Sequence, residues 1–219
     1  MSAHFQRSVH EIKQRLLSLS ALVEEQVQLA VRAILDSDEE LVETVRERDH
    51  AIDQMEVEVE EECLKTLALY QPVAADLRFL VAVLKINNDL ERIGDLAVNL
   101  AKKTKNLMAM PSLDVPFDLT GMWEKTQSML RDSMDALVNM DVRLADDVLE
   151  RDDEVDQMKR DIRRMAEDMI REEPDRVTPL LTLTAVARNL ERVADHATNI
   201  AEDVIYMIEG KIVRHGSAE

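Results

Sequence analysis

The sequence predicts an all-α protein: two tandem three-helix bundles, six long helices in coiled-coil-like packing. Three observations lead there. The 219 residues include only four Gly and five Pro, too few turn formers for a many-stranded β fold. Apolar residues recur every three or four positions over long stretches, the mark of one buried helical face. The order of elements and several residue strings then return about 100 positions later, an internal duplication.

The first helix is read from Phe5 to Ile34 on the stripe Phe5, Val9, Ile12, Leu16, Leu19, Val23, Val27, Ala30 and Ile34. Asp36, Ser37 and Asp38 supply capping oxygens for a restart. The second helix carries Leu41, Val45, Ile52, Met55 and Val59 and runs to about Tyr70, where Gln71-Pro72 stops it. The third runs from about Ala74 to Met108 on the stripe Val83, Ile86, Leu90, Ile93, Ala97 and Leu100. Pro111, Pro116 and Gly121 mark an irregular linker. A fourth helix follows from about Thr120 to Asn139. Asp141 caps a fifth to Glu172, Glu173-Pro174 breaks it, and Pro179 falls in the first turn of the sixth. That helix carries Leu183, Val186, Leu190, Val193, Ala197, Ile200, Val204 and Met207. The expected layout is 1–110 for the first bundle, 111–119 for the linker, 120–209 for the second bundle and 210–219 for a loose tail, the units joined end to end.

The duplication is legible residue by residue. Glu47-Arg48-Asp49 through Asp53-Gln54-Met55 returns as Glu150-Arg151-Asp152 through Asp156-Gln157-Met158, an offset of 103. Leu90-Glu91-Arg92, Asp95, Ala97, Asn99 and Ala101 return as Leu190-Glu191-Arg192, Asp195, Ala197, Asn199 and Ala201, an offset of 100.

A formal net charge of −18 argues against nucleic acid, whose phosphates reward clustered cations. It suits solubility, metal cations or basic patches on partners. Cys63 is the single cysteine, so no intramolecular disulfide forms, and its place near an apolar seam marks a buried thiol. No signal-peptide core or membrane-spanning run is evident, which points to the cytoplasm, with any membrane association peripheral.

Chemistry is suggested by carboxylate pairs spaced four apart: Asp49 with Asp53, Glu91 with Asp95, Asp152 with Asp156, and Glu191 with Asp195. A spacing of four stacks side chains on one helical face, where like charges repel by a few tenths of a kcal/mol. Within each unit the two pairs lie equally far from the proline turn. An antiparallel hairpin therefore brings them to one level, roughly 30 Å from the turn. The faces they occupy put them on the rim of each bundle. A bound hard cation (Mg²⁺, Mn²⁺, Ca²⁺ or Fe³⁺) would offset the repulsion, and all-oxygen donors disfavour zinc and copper. Asn99 and Asn199 would add neutral oxygens, and Glu24 and Glu25 fall near the same level. The plainer reading is a solvated acidic face, with Arg92–Asp95 and Arg192–Asp195 as surface ion pairs worth little.

Other candidates are weaker. Glu47 and His50 have the Glu-x-x-His spacing of di-iron bundles, but the second copy has Glu150 and Asp153 instead. His196 points away from Asp195, toward a surface or interhelical role. Lys102, Lys103 and Lys105 suit a helix C-terminus. The twelve methionines read as core filler. No phosphate loop, nucleophile elbow or repeated Cys/His set is found, so an enzyme is not expected.

Leu90-Glu91-Arg92-Ile93-Gly94-Asp95, its echo Leu190-Glu191-Arg192-Val193-Ala194-Asp195, and Gln71-Pro72-Val73-Ala74-Ala75-Asp76-Leu77-Arg78 resemble the signatures of the PhoU family of phosphate-transport regulators. The likeness covers nearly the whole chain. The second copy is looser, with Ala194 for the glycine and Glu172-Glu173-Pro174-Asp175 for the Gln-Pro turn. The resemblance implies multinuclear metal sites at Asp49, Asp53, Glu91, Asp95, Asp152, Asp156, Glu191 and Asp195. It also implies a negative regulator of phosphate uptake and of the phosphate-starvation response. Such a regulator works at the cytoplasmic membrane face, on the phosphate ABC transporter's ATPase and the phosphate-sensing histidine kinase, commonly as a homodimer. A spectrin-like scaffold with inert acidic pairs, or a carboxylate-bridged metal oxidase, are the competing readings.

Overall fold

The computed structural model describes residues 3–110 and 117–212, so linker prolines Pro111 and Pro116 and the tail beyond residue 212 lie outside the described residues. Six long helices follow in order: α1 (Ala3–Asp36), α2 (Glu39–Tyr70), α3 (Ala75–Met108), α4 (Leu119–Asn139), α5 (Val142–Glu172) and α6 (Val177–Glu209). No strand is present among the described residues. A single 3₁₀ turn, Pro174–Arg176, separates α5 from α6 and was not legible in the sequence.

The capping chemistry explains where helices begin. Asp38 accepts from the amides of Glu40 and Leu41, and Asp141 repeats this with Arg143 and Leu144. Asp118 caps α4 through the Gly121 amide at 2.8 Å. Gly121 is thus inside the first turn of α4, not in the linker, and a Cβ there would meet the Asp118 carboxylate at 2.2 Å. The α2–α3 turn bends through two residues of positive φ, Gln71 (φ 45°) and Ala74 (φ 52°).

The seams pack as the periodicity requires. Ile12, Leu16 and Leu19 of α1, Val45 and Ile52 of α2, and Leu80, Ile86 and Leu90 of α3 are buried, and α4, α5 and α6 supply the matching set. Each such aliphatic side chain contributes about 1.5–3 kcal/mol on burial. Cys63 is fully buried, and burial pushes its thiol up to about 12.

The units do not sit end to end. They lie side by side, α3 packed along α6, and buried residues from all six helices form one continuous core. Polar contacts cross this seam: Lys85 Nζ donates to Asp203 Oδ1 at 2.9 Å, and the Lys85 ammonium stands 5.2 Å from the Tyr206 ring centre. His196 Nδ1 meets Asp89 Oδ1 at 2.7 Å, the interhelical role expected for it. Partners fall in number along α6 as they rise along α3, so the two helices are antiparallel. Glu24 of α1 closes the seam at the other side, accepting from Arg131 at 2.5 Å and Gln127 at 3.2 Å.

Candidate functional site: two acidic groups with different counter-charges

The antiparallel α2–α3 hairpin places Asn87 against Glu56, residues nearly equidistant from the Gln71-Pro72 turn. At that level the first acidic group assembles. Asp49 and Glu91 are half-buried, and Asp53 and Asp95 are exposed. Burial, then the charges of Asp53 and Asp95, raise Asp49 above its ordinary value, against a hydrogen bond from Gln26. Burial, then Asp95, Asp53 and Asp49, raise Glu91 in the same way. All four carboxylates therefore feel one another across the two helices, on the rim of the bundle. Gly94 permits the close approach: a Cβ there would lie 3.2 Å from Ile52 Cγ2 and 3.9 Å from Asp49 Oδ1.

Two members escaped the sequence reading. Glu56 joins the group, raised by burial and then by Glu60, Glu91 and Asp53. Gln26 of α1 is fully buried and donates to Asp49 Oδ1 at 3.0 Å, while its own Oε1 has no partner among the described residues. Glu24 and Glu25, expected near this level, point elsewhere: Glu24 to α4, and Glu25 to Arg48 at 2.7 Å. Among the described residues, the cation that pairs with the group is Arg92, loosely placed 3.5 Å from Glu91 and 3.7 Å from Asp95.

The second group contains Asp152, Asp156, Glu191 and Asp195 at the corresponding level. Burial, then Asp156, Asp153 and Glu191, raise Asp152. Burial, then Glu191 and Asp152, push Asp195 up to about 6. Here, however, an ammonium stands inside the group. Lys159 Nζ donates to Asp156 Oδ1 at 2.7 Å and Glu191 Oε1 at 2.5 Å. Its hydrogen bond holds Asp156 below the ordinary value, with Arg160 Nη1 at 3.1 Å adding to it. Burial alone would lower the lysine, but its two carboxylate bonds outweigh that and raise it. Under the offset of 103, Lys159 corresponds to Glu56: one position carries opposite charges in the two units. Asn199, a candidate extra ligand, instead donates to Asp89 at 3.3 Å across the α3–α6 seam.

The pairs are near enough to repel. Among the described residues, no three Asp, Glu, His or Cys side chains converge on a common point as metal ligands. A model of the PhoU domain matches this chain twice, over residues 16–104 and 119–204, the two units seen in the fold. The chain belongs to the PhoU family. It is 36% identical over 216 residues to the phosphate-specific transport system accessory protein PhoU homolog of Pseudomonas putida, covering 98% of this chain and 84% of that protein. The homolog of Aquifex aeolicus is 37% identical over 209 residues, 95% of each chain. The crystal structure of PhoU from Pseudomonas aeruginosa superposes with a TM-score of 0.91 at 36% identity, over 94% of this chain and all of that one. The phosphate transport system regulatory protein PhoU from Streptococcus pneumoniae gives 0.84 at 29% identity, over 95% and 99%. These full-length matches establish the PhoU fold expected from the Leu90–Asp95 string and its echo.

Proposed function

We propose that this PhoU-family chain is a cytoplasmic, non-enzymatic regulator of phosphate uptake and a negative regulator of the phosphate-starvation two-component response. It acts as a homodimeric, metal-binding adaptor between the phosphate ABC transporter's ATPase and the phosphate-sensing histidine kinase. The observation that carries the reading is the match of both units to the family model, along nearly the whole chain, with relatives named as accessory proteins of phosphate-specific transport. No described helix is long and apolar enough to cross a membrane, consistent with a protein recruited to its inner face.

The donor chemistry fits a hard cation best in the first group. Asp49, Asp53, Glu91 and Asp95 offer oxygen donors beside Glu56, with only a loosely placed arginine to offset them. An ion there would supply positive charge and tie α2 to α3. Asp152, Asp156, Glu191 and Asp195 would have to give up Lys159 to bind a metal, so weaker affinity is assigned to them. The side-by-side packing of α3 on α6 also disfavours an end-to-end spectrin-like scaffold. An oxidase is disfavoured because neither acidic group contains a histidine pair.

The test is genetic and direct. Deleting the gene should switch on starvation-response expression in phosphate-rich medium, and the wild-type chain should restore repression. Unaltered expression on deletion would sink the regulatory reading. Elemental analysis of the purified protein, beside a variant with Glu91, Asp95, Glu191 and Asp195 changed to Ala, tests the metal separately.

A further inference from the structure

The acidic chain carries a cluster of cations between α5 and α6. A trough of about 840 Å³ runs there, lined by five cations, Lys159, Arg160, Arg163, Arg188 and Arg192, against three carboxylates, Glu167, Glu191 and Asp195. On α5 it extends from Lys159 to Ile170, roughly 16 Å at the helical rise. Its far end is aliphatic, formed by Ala166, Ile170 and Leu181, and Leu181 is 55% exposed.

Not all of these charges are satisfied internally. Lys159 is held by Asp156 and Glu191, Arg160 by Asp156, and Arg163 by Glu167 at 2.9 Å. Arg188 and Arg192, four residues apart on one face of α6, are exposed and form no ion pair among the described residues. Two like charges at that spacing repel, so the helix gains nothing from them by itself. Arg192 has Arg92 as its counterpart in the first unit, but the other four cations are not demanded by the fold. At the positions corresponding to Lys159, Arg160, Arg163 and Arg188, the first unit has Glu56, Val57, Glu60 and Asn88.

We infer that the α5–α6 trough is a docking site for an acidic segment of a partner protein, with carboxylates on Arg188 and Arg192 and an aliphatic side chain against Ile170 and Leu181. Guanidinium forks suit carboxylates geometrically, and the aliphatic end supplies the apolar anchor that interfaces use for most of their affinity. The length and the split character exclude a single small anion as the intended occupant: it would engage the arginines and leave the aliphatic end bare. The cation-bearing stretches, Lys159–Arg163 of α5 and Arg188–Arg192 of α6, are mid-helix, where backbone amides are already bonded, so the arginines have no amide cradle of the kind dedicated phosphate sites use. The inference deepens the adaptor reading by naming a partner surface, but it does not depend on metal or on phosphate signalling.

The test uses the full chain and a dye-labelled twelve-residue peptide of Asp and Glu with Leu at every fourth position, followed by fluorescence anisotropy. Binding should weaken at least tenfold in the Arg188→Glu/Arg192→Glu variant and severalfold in Leu181→Asp, with circular dichroism unaltered. It should persist in chelator-treated protein, which separates it from the metal reading. A peptide with Gly in place of Leu should bind more weakly, and millimolar inorganic phosphate should compete poorly. Absence of peptide binding, or binding indifferent to the double variant, would overturn the inference. So would phosphatidylglycerol vesicles binding through these arginines where the peptide does not, or a double variant whose only change is lost self-association.

Discussion

The two acidic groups are built on the same helical scaffold yet balance their charge differently. In the first unit Glu56 adds a fifth carboxylate, and Asp49, Glu56 and Glu91 are all raised. In the second, Lys159 occupies the corresponding position and bonds two of the carboxylates directly. The difference teaches that the duplicated motif fixes where carboxylates stand, while a single neighbouring position decides whether the unit carries its own cation. A group without one has the stronger electrostatic reason to recruit one from solution.

Exchanging that position should give the largest effect. Lys159→Met removes the internal ammonium, and Glu56→Lys introduces one. A unit charge about 4 Å away is worth on the order of 4 kcal/mol at a surface-like dielectric. Even after generous discounting for exposure, Mn²⁺ affinity should change by at least about tenfold, rising at the second group in Lys159→Met and falling at the first in Glu56→Lys. Isothermal titration on chelator-treated protein reads both. Equal affinity in all three proteins would mean that the groups are solvated faces and that the lysine is incidental.

A smaller effect is the pH dependence of the metal-free protein. Asp49, Glu56, Glu91, Asp152 and Asp195 have folded-state values above their ordinary ones, Asp195 at about 6. The folded chain therefore binds more protons than the unfolded chain between the ordinary carboxylate range and about 6. Their contribution to stability is fully present below that range and is lost as pH rises through the folded values. Asp156, held low by Lys159, works in the opposite sense, but only at still lower pH. The melting temperature should thus rise as pH falls from 7.5 to 5, and saturating Mn²⁺ should flatten the slope. Glu56→Lys should flatten it too, without metal. A melting temperature that drops steadily over this interval would contradict the charge balance described for the two acidic groups.

Much of this was legible in the sequence. Leu and Ile at helical spacing, the Asp38 and Asp141 caps and the proline turns fixed six helices, because those signals are local. The equal height of Asp49/Asp53 and Glu91/Asp95 followed from counting outward from Pro72, because a hairpin register is set by its turn. Packing across the units was different. Asp89 with His196, or Glu24 with Arg131, are contacts between residues over 100 positions apart, and no periodicity encodes them. Gln26 was hidden for the same reason, being a polar residue on an apolar face of a third helix. Lys159 and the trough arginines were within reach, since laying one copy over the other shows Glu56 and Glu60 reversed to Lys159 and Arg163.

The smallest test concerns the hairpin turns, where the units again differ. The first turns through Ala74 at φ 52° and ψ −118°, with no side-chain cap on α3. The second places Pro174, its counterpart at the offset of 100, at the start of a 3₁₀ turn. A non-glycine residue held in such a region costs about 1–3 kcal/mol, and glycine would relieve it. Glycine also loosens the unfolded chain by about 0.4–1 kcal/mol, so Ala74→Gly should stabilise by a net of about 0–2.6 kcal/mol in urea titrations. Ala74→Pro, the residue the second unit uses, should destabilise by more than that, since proline fixes φ near −65° and the native backbone lies on the other side of zero. If proline were instead tolerated, the first turn would share the conformation of the second, and the distinction between the two hairpins would collapse into sequence alone.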